Sequence, residues 1–170
     1  MEKGKIYIFT GDGHGKSPAA LGSALQAAAR GEKVVIIQFL KGKGLGDTEF
    51  VRRLEPEIKL FRFEKAEADF QYLSPEEKNE AVMNIKNGIN YARKVLMTGE
   101  CNLLILDEVL GLVDNKIMTE EDLRNLIQCK QEDTTLIMTG ITLLDNICMM
   151  ADEVSKIQTI RMKETENTIE

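Results

Sequence analysis

The residues of this chain best suited to chemistry are Thr10-Gly11-Asp12-Gly13-His14-Gly15-Lys16-Ser17. They separate a strand-like KIYIFT from an Ala-rich helical stretch. A glycine-rich turn running into a helix N-terminus gathers backbone N–H donors and the positive end of the helix dipole on one point, which suits a phosphate chain. Lys16 adds a point charge for phosphate oxygens, and the Ser17 hydroxyl suits Mg²⁺. Gly11, Asp12, Gly13, His14, Gly15, Lys16, Ser17 and Pro18 are therefore the candidate nucleotide-binding residues. The usual pattern has glycine six residues before the lysine, and here that position is Thr10. Pro18 removes an amide from the first helical turn, where its ring is tolerated. His14, the single histidine, is a solvated loop residue on the plain reading and a phosphate contact on the chemical one.

A second constellation is Leu103-Leu104-Ile105-Leu106-Asp107-Glu108, an apolar run that ends in two carboxylates. Downstream of a phosphate loop, such a strand end brings an acid beside nucleotide-bound Mg²⁺. Ser17, Glu108 and Asp107 are the candidate metal residues. Adjacent residues point different ways, so one of the two acids is expected to face the ion.

Positioning these groups requires alternating strands and helices. Strands are expected at 5–10, 33–39, 58–63, 102–107, 134–139 and 154–160. Helices are expected at 15–30, 119–130 and 143–150, with a long one opened by the capping box Ser74-Pro75-Glu76-Glu77 and closed by Gly99. The run at 102–107 does not alternate, which indicates burial on both faces. The pattern predicts an α/β fold with a mostly parallel sheet flanked by helices. One domain is expected over 1–160, followed by a polar tail at 161–170.

The chain has 170 residues, 28 acidic against 22 basic, for a net charge of −6. That balance argues against a general nucleic-acid binder, which needs a basic face. Apolar runs such as Val34–Ile37 are too short to span a bilayer, and no signal-peptide pattern is expected at Met1–Lys5. Cys101, Cys129 and Cys148 are odd in number and far apart, which points to free thiols rather than a disulfide framework or a zinc site. A cytoplasmic protein without membrane or nucleic-acid partners is the expectation.

Several motifs in order resemble the P-loop ATP:corrinoid adenosyltransferases. These are TGDGHGKSPAA at Thr10–Ala20, Gln38-Phe39-Leu40-Lys41-Gly42, Leu106-Asp107-Glu108, Ile137-Met138-Thr139-Gly140 and Ala151-Asp152-Glu153-Val154-Ser155. The resemblance implies a RecA-like, doubly wound P-loop fold. It also implies transfer of the 5′-deoxyadenosyl group of ATP to the Co(I) of a reduced cobalamin or cobinamide, with Mg²⁺ as cofactor. Lys16 and Lys41 are then the catalytic cations stabilising the triphosphate that leaves. Ser17 and Glu108 are the metal-side groups, with Asp107 behind them. Phe70 and Tyr72, in Asp69-Phe70-Gln71-Tyr72, match the aromatic pair that lies over the corrinoid. A reductase that delivers Co(I) and a homodimer are implied as partners.

The chain also departs from the family pattern. Ile141 stands where an arginine follows Thr-Gly, His14 and Pro18 replace a lysine and a threonine, and a short Ile160–Glu164 tail replaces a basic and aromatic segment. The residues themselves leave three classes open. They are an adenosyltransferase, a nucleotide- or corrinoid-binding relative without transfer, and a P-loop NTPase or kinase of other chemistry.

Overall fold

A computed structural model of the chain describes residues 3–42 and 49–163. Six strands form one sheet in the order β3-β2-β4-β5-β1-β6, and all five pairings are parallel. They are β1 (Ile6–Thr10), β2 (Val34–Gln38), β3 (Ile58–Arg62), β4 (Leu103–Asp107), β5 (Thr135–Gly140) and β6 (Glu153–Lys156). Every residue of β2 and β4 is buried, as continuous apolar runs in the middle of a doubly covered sheet must be.

One face carries α1 (Lys16–Ala29), whose Ala20, Ala24 and Ala27 lie against Ile36, Ile105 and Ile137. The methyl side chains let the helix sit close to the sheet, and this holds its N-terminus directly over the C-terminal ends of the strands. Gly31, at φ 81°, releases the chain after the helix. The other face carries α3 (Pro75–Thr98) and α5 (Glu120–Gln128), which pack Ile85, Ile89, Leu96, Leu123 and Leu126 into the larger core.

The long helix starts and stops where its end signals require. Ser74 Oγ accepts from the Glu77 N–H at 3.3 Å, Glu77 Oε2 accepts from the Ser74 N–H at 2.8 Å, and Gly99 ends the helix in the left-handed region. Thr119 and Asp122 form the same reciprocal box on α5. The carboxyls of Glu77 and Asp122 lie below their ordinary range because of these bonds.

Four features differ from the sequence expectation. The last strand stops at Lys156 rather than running to 160, because its partner β1 ends at Thr10 and bends into the phosphate loop. Helix α6 (Asp145–Cys148) is one turn, shorter than the 143–150 expected. A six-residue helix, α4 (Val109–Asp114), follows β4 unannounced, with Val109, Leu110 and Leu112 turned back into the core. A single turn, α2 (Glu49–Arg52), precedes β3. Residues 164–170, most of the expected tail, and Met1 and Glu2 fall outside the described part.

Candidate active site

Four strands end at the same edge of the sheet: β1 runs into the glycine loop, β2 ends at Gln38 with Lys41 three residues beyond, β4 ends at Asp107, and β5 carries Thr139 just before its last residue. In an open parallel sheet this carboxyl edge is where ligands bind. The loop itself needs glycine at two places, since Gly11 has φ 112° and Gly15 has φ 123°. Lys16 is 8% exposed, and its Nζ donates to the Gly13 carbonyl at 3.0 Å. The ammonium is thus folded into the loop it belongs to. Asp12, His14 and Pro18 are exposed on the rim.

The chain's own C-terminal segment lies along this loop. Ile157 N–H donates to the Thr10 carbonyl at 2.7 Å, and the Ile157 carbonyl accepts from the Gly13 N–H at 3.1 Å. Thr159 Oγ1 accepts from the His14 N–H at 2.7 Å. A Cβ on Gly11 would stand 2.3 Å from the Ile157 oxygen, so a side chain there would push the segment away.

Asp107, 2% exposed, is the centre of the polar network. Its Oδ1 accepts from Ser17 Oγ at 2.8 Å and Thr139 Oγ1 at 2.7 Å, and its Oδ2 accepts from Lys41 Nζ at 2.8 Å and Gln38 Nε2 at 3.4 Å. Lys41 Nζ also donates to Ser17 Oγ. Loop hydroxyl, strand-end carboxylate and Lys41 ammonium are therefore in mutual contact. Glu108, next in sequence, is turned aside. It heads α4 at φ 62°, its own N–H donates to Thr139 Oγ1 at 2.8 Å, and its Oε2 lies 3.7 Å from where a Gly111 side chain would begin. Burial first, then the neighbouring Asp107, pushes the Glu108 carboxyl up, while Lys41 and Lys16 pull against that.

The residue before Lys41 is also in the left-handed region, with Leu40 at φ 62°. For a branched apolar residue that conformation persists only when the surroundings hold it. The Leu40 N–H donates to Glu64 Oε1 at 3.0 Å, and its carbonyl accepts from the Phe70 N–H at 3.4 Å. Phe70 and Tyr72 fall in a 3-10 turn, Phe70–Tyr72. Phe70 packs against the core beneath Lys78, whose Nζ is 5.7 Å from the ring centroid, and Tyr72 is 74% exposed. The structure thus gathers Ser17, Lys41 and Asp107, links Phe70 to them through Leu40, and leaves Tyr72 on the surface.

The donor set fits Mg²⁺. A hydroxyl and a carboxylate converge on a point already attractive to a cation, and both are hard oxygen ligands. Beside them Gln38, 5% exposed, has a carbonyl oxygen, Oε1, with no hydrogen-bond partner among the described residues. No group of three or more His, Cys, Asp or Glu suited to a metal occurs among the described residues, so the remaining ligands would be phosphate oxygens and water. A cavity of about 280 Å³ opens here, walled by Pro18, Leu21, Ile36 and Ile105 with Gln38 and Lys41 at its polar end. A larger cleft of about 560 Å³ lies at the opposite ends of the strands, around Lys5, Arg30 and Asp133, and holds none of the candidate nucleotide, metal or corrinoid residues.

Gln38, Thr139, Glu64, Asp69 and the Ile157–Thr159 segment are site residues that the reading of motifs did not assign. For Gln38 and Thr139 a signal existed, a polar residue at or near the end of an otherwise apolar strand. Glu64, Asp69 and Thr159 carry no such mark.

Sheet order, carboxyl-edge loop and buried strand-end acid define a RecA-like P-loop α/β protein. A KaiC-like protein, PH0186, from Pyrococcus horikoshii OT3 has this fold, with a TM-score of 0.57 over 96% of this chain and 77% of that one at 16% identity. The sequence profile of the ATP:corrinoid adenosyltransferases BtuR/CobO/CobP matches residues 2–169, and the chain belongs to that family. The corrinoid adenosyltransferase of Escherichia coli K12 is 27% identical over 160 residues, covering 94% of this chain and 79% of that protein. Corrinoid adenosyltransferase CobA of Salmonella typhimurium LT2 is 26% identical with the same coverage. The fold and the family expected from the motifs are both found.

Proposed function

We propose that this chain transfers the 5′-deoxyadenosyl group of ATP to the Co(I) centre of a reduced corrinoid. The Co(I) electron pair forms the bond to C5′ while the C5′–O bond breaks, and triphosphate departs with that bond's electrons. The observation that carries the reading is the contact of Ser17, Lys41 and Asp107 at the mouth of the glycine loop, in a chain of this family.

The nucleophile is supplied ready-made by the corrinoid, so the protein's tasks are alignment and charge stabilisation. Lys16 and Lys41 stabilise the departing triphosphate, and Gly11 to Pro18 hold it. Mg²⁺, when bound, neutralises phosphate charge. Ser17 and Asp107 are the groups that would hold the ion, with Glu108 at the edge of the same region. Phe70 and Tyr72 cover the corrinoid, and the exposure of Tyr72 supports that role by leaving the ring available. The reading extends to a cytoplasmic homodimer receiving Co(I) from a separate reductase. Three free cysteines support reducing surroundings. No helix among the described residues is long and apolar enough to cross a membrane.

Incubation with ATP, Mg²⁺ and chemically reduced cobalamin or cobinamide tests the proposal by the appearance of a light-sensitive Co–C product. Absence of product with both corrinoids refutes transfer. A second reading, a binding relative without transfer, is favoured by one observation. The backbone oxygen of Ile141 braces the loop through the Gly11 N–H and the Thr10 hydroxyl, yet its side chain is 58% exposed and brings no cation. Nucleotide binding without product would support that alternative.

A further inference from the structure

Lys41 reaches Ser17 and Asp107 from a connection that has no regular structure of its own, since β2 ends at Gln38 and Lys41 follows the left-handed Leu40. A lysine side chain has many rotamers, so the direction of its backbone decides which groups the ammonium meets. Two carboxylates hold that backbone. Glu64 Oε1 accepts from the Leu40 N–H at 3.0 Å, and Asp69 Oδ1 accepts from the Gly42 N–H at 2.9 Å. Glu64 is 6% exposed, and its burial pushes the carboxyl up, with this bond and the nearby charge of Arg62 pulling only partly against that. Gly42 completes the fit, because a Cβ there would stand 2.2 Å from the Glu67 carbonyl oxygen.

We propose that Glu64 and Asp69 are positioning residues: from the β3–α3 connection they grip the backbone N–H groups on either side of Lys41 and so fix where its ammonium lies. Two grips, one residue before and one residue after, determine both the position and the direction of the Cα–Cβ bond between them. A single grip would leave the segment free to pivot. Phe70 follows Asp69 directly and donates its N–H to the Leu40 carbonyl, so the turn bearing Phe70 and Tyr72 belongs to the same unit. Displacement of that turn by a flat ligand is therefore conveyed to Lys41, and through it to Ser17 and Asp107. Both carboxylates act through Lys41 and need no contact of their own with substrate. The proposal rests on the reading of Lys41 as a phosphate-side cation.

The test combines removal, conservative rescue and a double-mutant cycle. Asp69→Ala and Glu64→Leu remove the acceptors, whereas Asp69→Asn and Glu64→Gln keep a carbonyl oxygen in place. Calorimetry with Mg²⁺ and ATP is expected to show about fivefold weaker binding for each removal, as for loss of one net hydrogen bond, with most of the affinity restored by Asn and Gln. In a Lys41→Met background the same removals are expected to have no further effect. A full-size loss that persists without Lys41, or no loss in its presence, overturns the proposal. Asp69 is on the surface, so its variants keep the test decisive if Glu64→Leu does not fold. A wild-type protein that binds no ATP refutes the proposed function but leaves the clamp open to a separate measurement on nucleotide-free protein. There the slowly exchanging ¹⁵N signal of the Lys41 ammonium should be lost in Asp69→Ala and kept in Asp69→Asn. An unchanged signal in Asp69→Ala overturns the clamp.

Discussion

Asp107 offers the sharpest test of the site, because its two oxygens have different duties. Oδ1 takes the hydroxyls of Ser17 and Thr139, and Oδ2 takes the Lys41 ammonium and Gln38. In Asp107→Asn the retained Oδ1 still accepts from both hydroxyls, but an NH₂ group then faces the ammonium and the Gln38 Nε2. One charge-assisted contact of roughly 1.5–3 kcal/mol is lost. The Lys41 side chain is 29% exposed and so can regain water, which lowers the expected destabilisation to about 1–2 kcal/mol. Asp107→Ala also leaves the fully buried Thr139 hydroxyl without its acceptor, at about 1–3 kcal/mol for an unsatisfied group, giving roughly 2–5 kcal/mol in all. Urea unfolding with matched slopes measures both values. Binding of Mn²⁺ in the presence of ATP, followed by electron paramagnetic resonance, should weaken in both variants. If Asn and Ala are equally destabilising, or Asn leaves stability and metal binding at wild-type levels, the division of labour between the two oxygens is wrong.

Lys16→Ala is expected to weaken ATP binding by roughly 1.5–3 kcal/mol without loss of fold, measured by calorimetry and circular dichroism. The half-buried Glu108 has a raised pKa, so its contribution to stability is present below the unfolded carboxyl value and lost as pH rises through the folded one. Glu108→Gln should therefore gain stability relative to wild type on going from acid to neutral pH, and a pH-independent difference in urea unfolding would contradict this. Phe70→Ala and Tyr72→Ala should each reduce four-coordinate Co(II) cobalamin, seen by electron paramagnetic resonance with protein and ATP, while ATP affinity stays near wild type. A wild-type spectrum identical to that of free five-coordinate cofactor would remove the aromatic turn from the mechanism.

Much of the scaffold was legible because it obeys local rules. The uninterrupted apolar run at 103–106 could only be an inner strand, and Ser74 with Glu77 marked the start of α3 to the residue. The glycine loop was legible for the same reason, since Gly11 and Gly15 stand where the backbone must adopt positive φ. What escaped depends on contacts between distant segments. Leu40 and Glu108 have no propensity for the left-handed region; Glu64 and Thr139, each more than twenty residues away, hold them there. The early stop of β6 had a similar cause, because its length is set by where β1 bends and not by its own residues. The pairing of Ser17 with Asp107 rather than Glu108 likewise follows from the turn at Glu108, which no spacing rule encodes.

The segment lying along the glycine loop changes what a ligand must accomplish there. The Gly13 and His14 amides are already bonded to the Ile157 carbonyl and the Thr159 hydroxyl, two uncharged oxygens of the protein itself. An incoming group therefore replaces acceptor with acceptor, and the loop's shape is set by folding before any nucleotide arrives. A neutral ligand gains nothing by such an exchange. Only an oxygen bearing negative charge improves on the occupant, through Lys16 and the dipole of α1. On the proposed reading of the loop as a phosphate site, selection would work by substitution: molecules that merely accept hydrogen bonds would gain nothing, and only those whose charge outcompetes the protein's own backbone would enter.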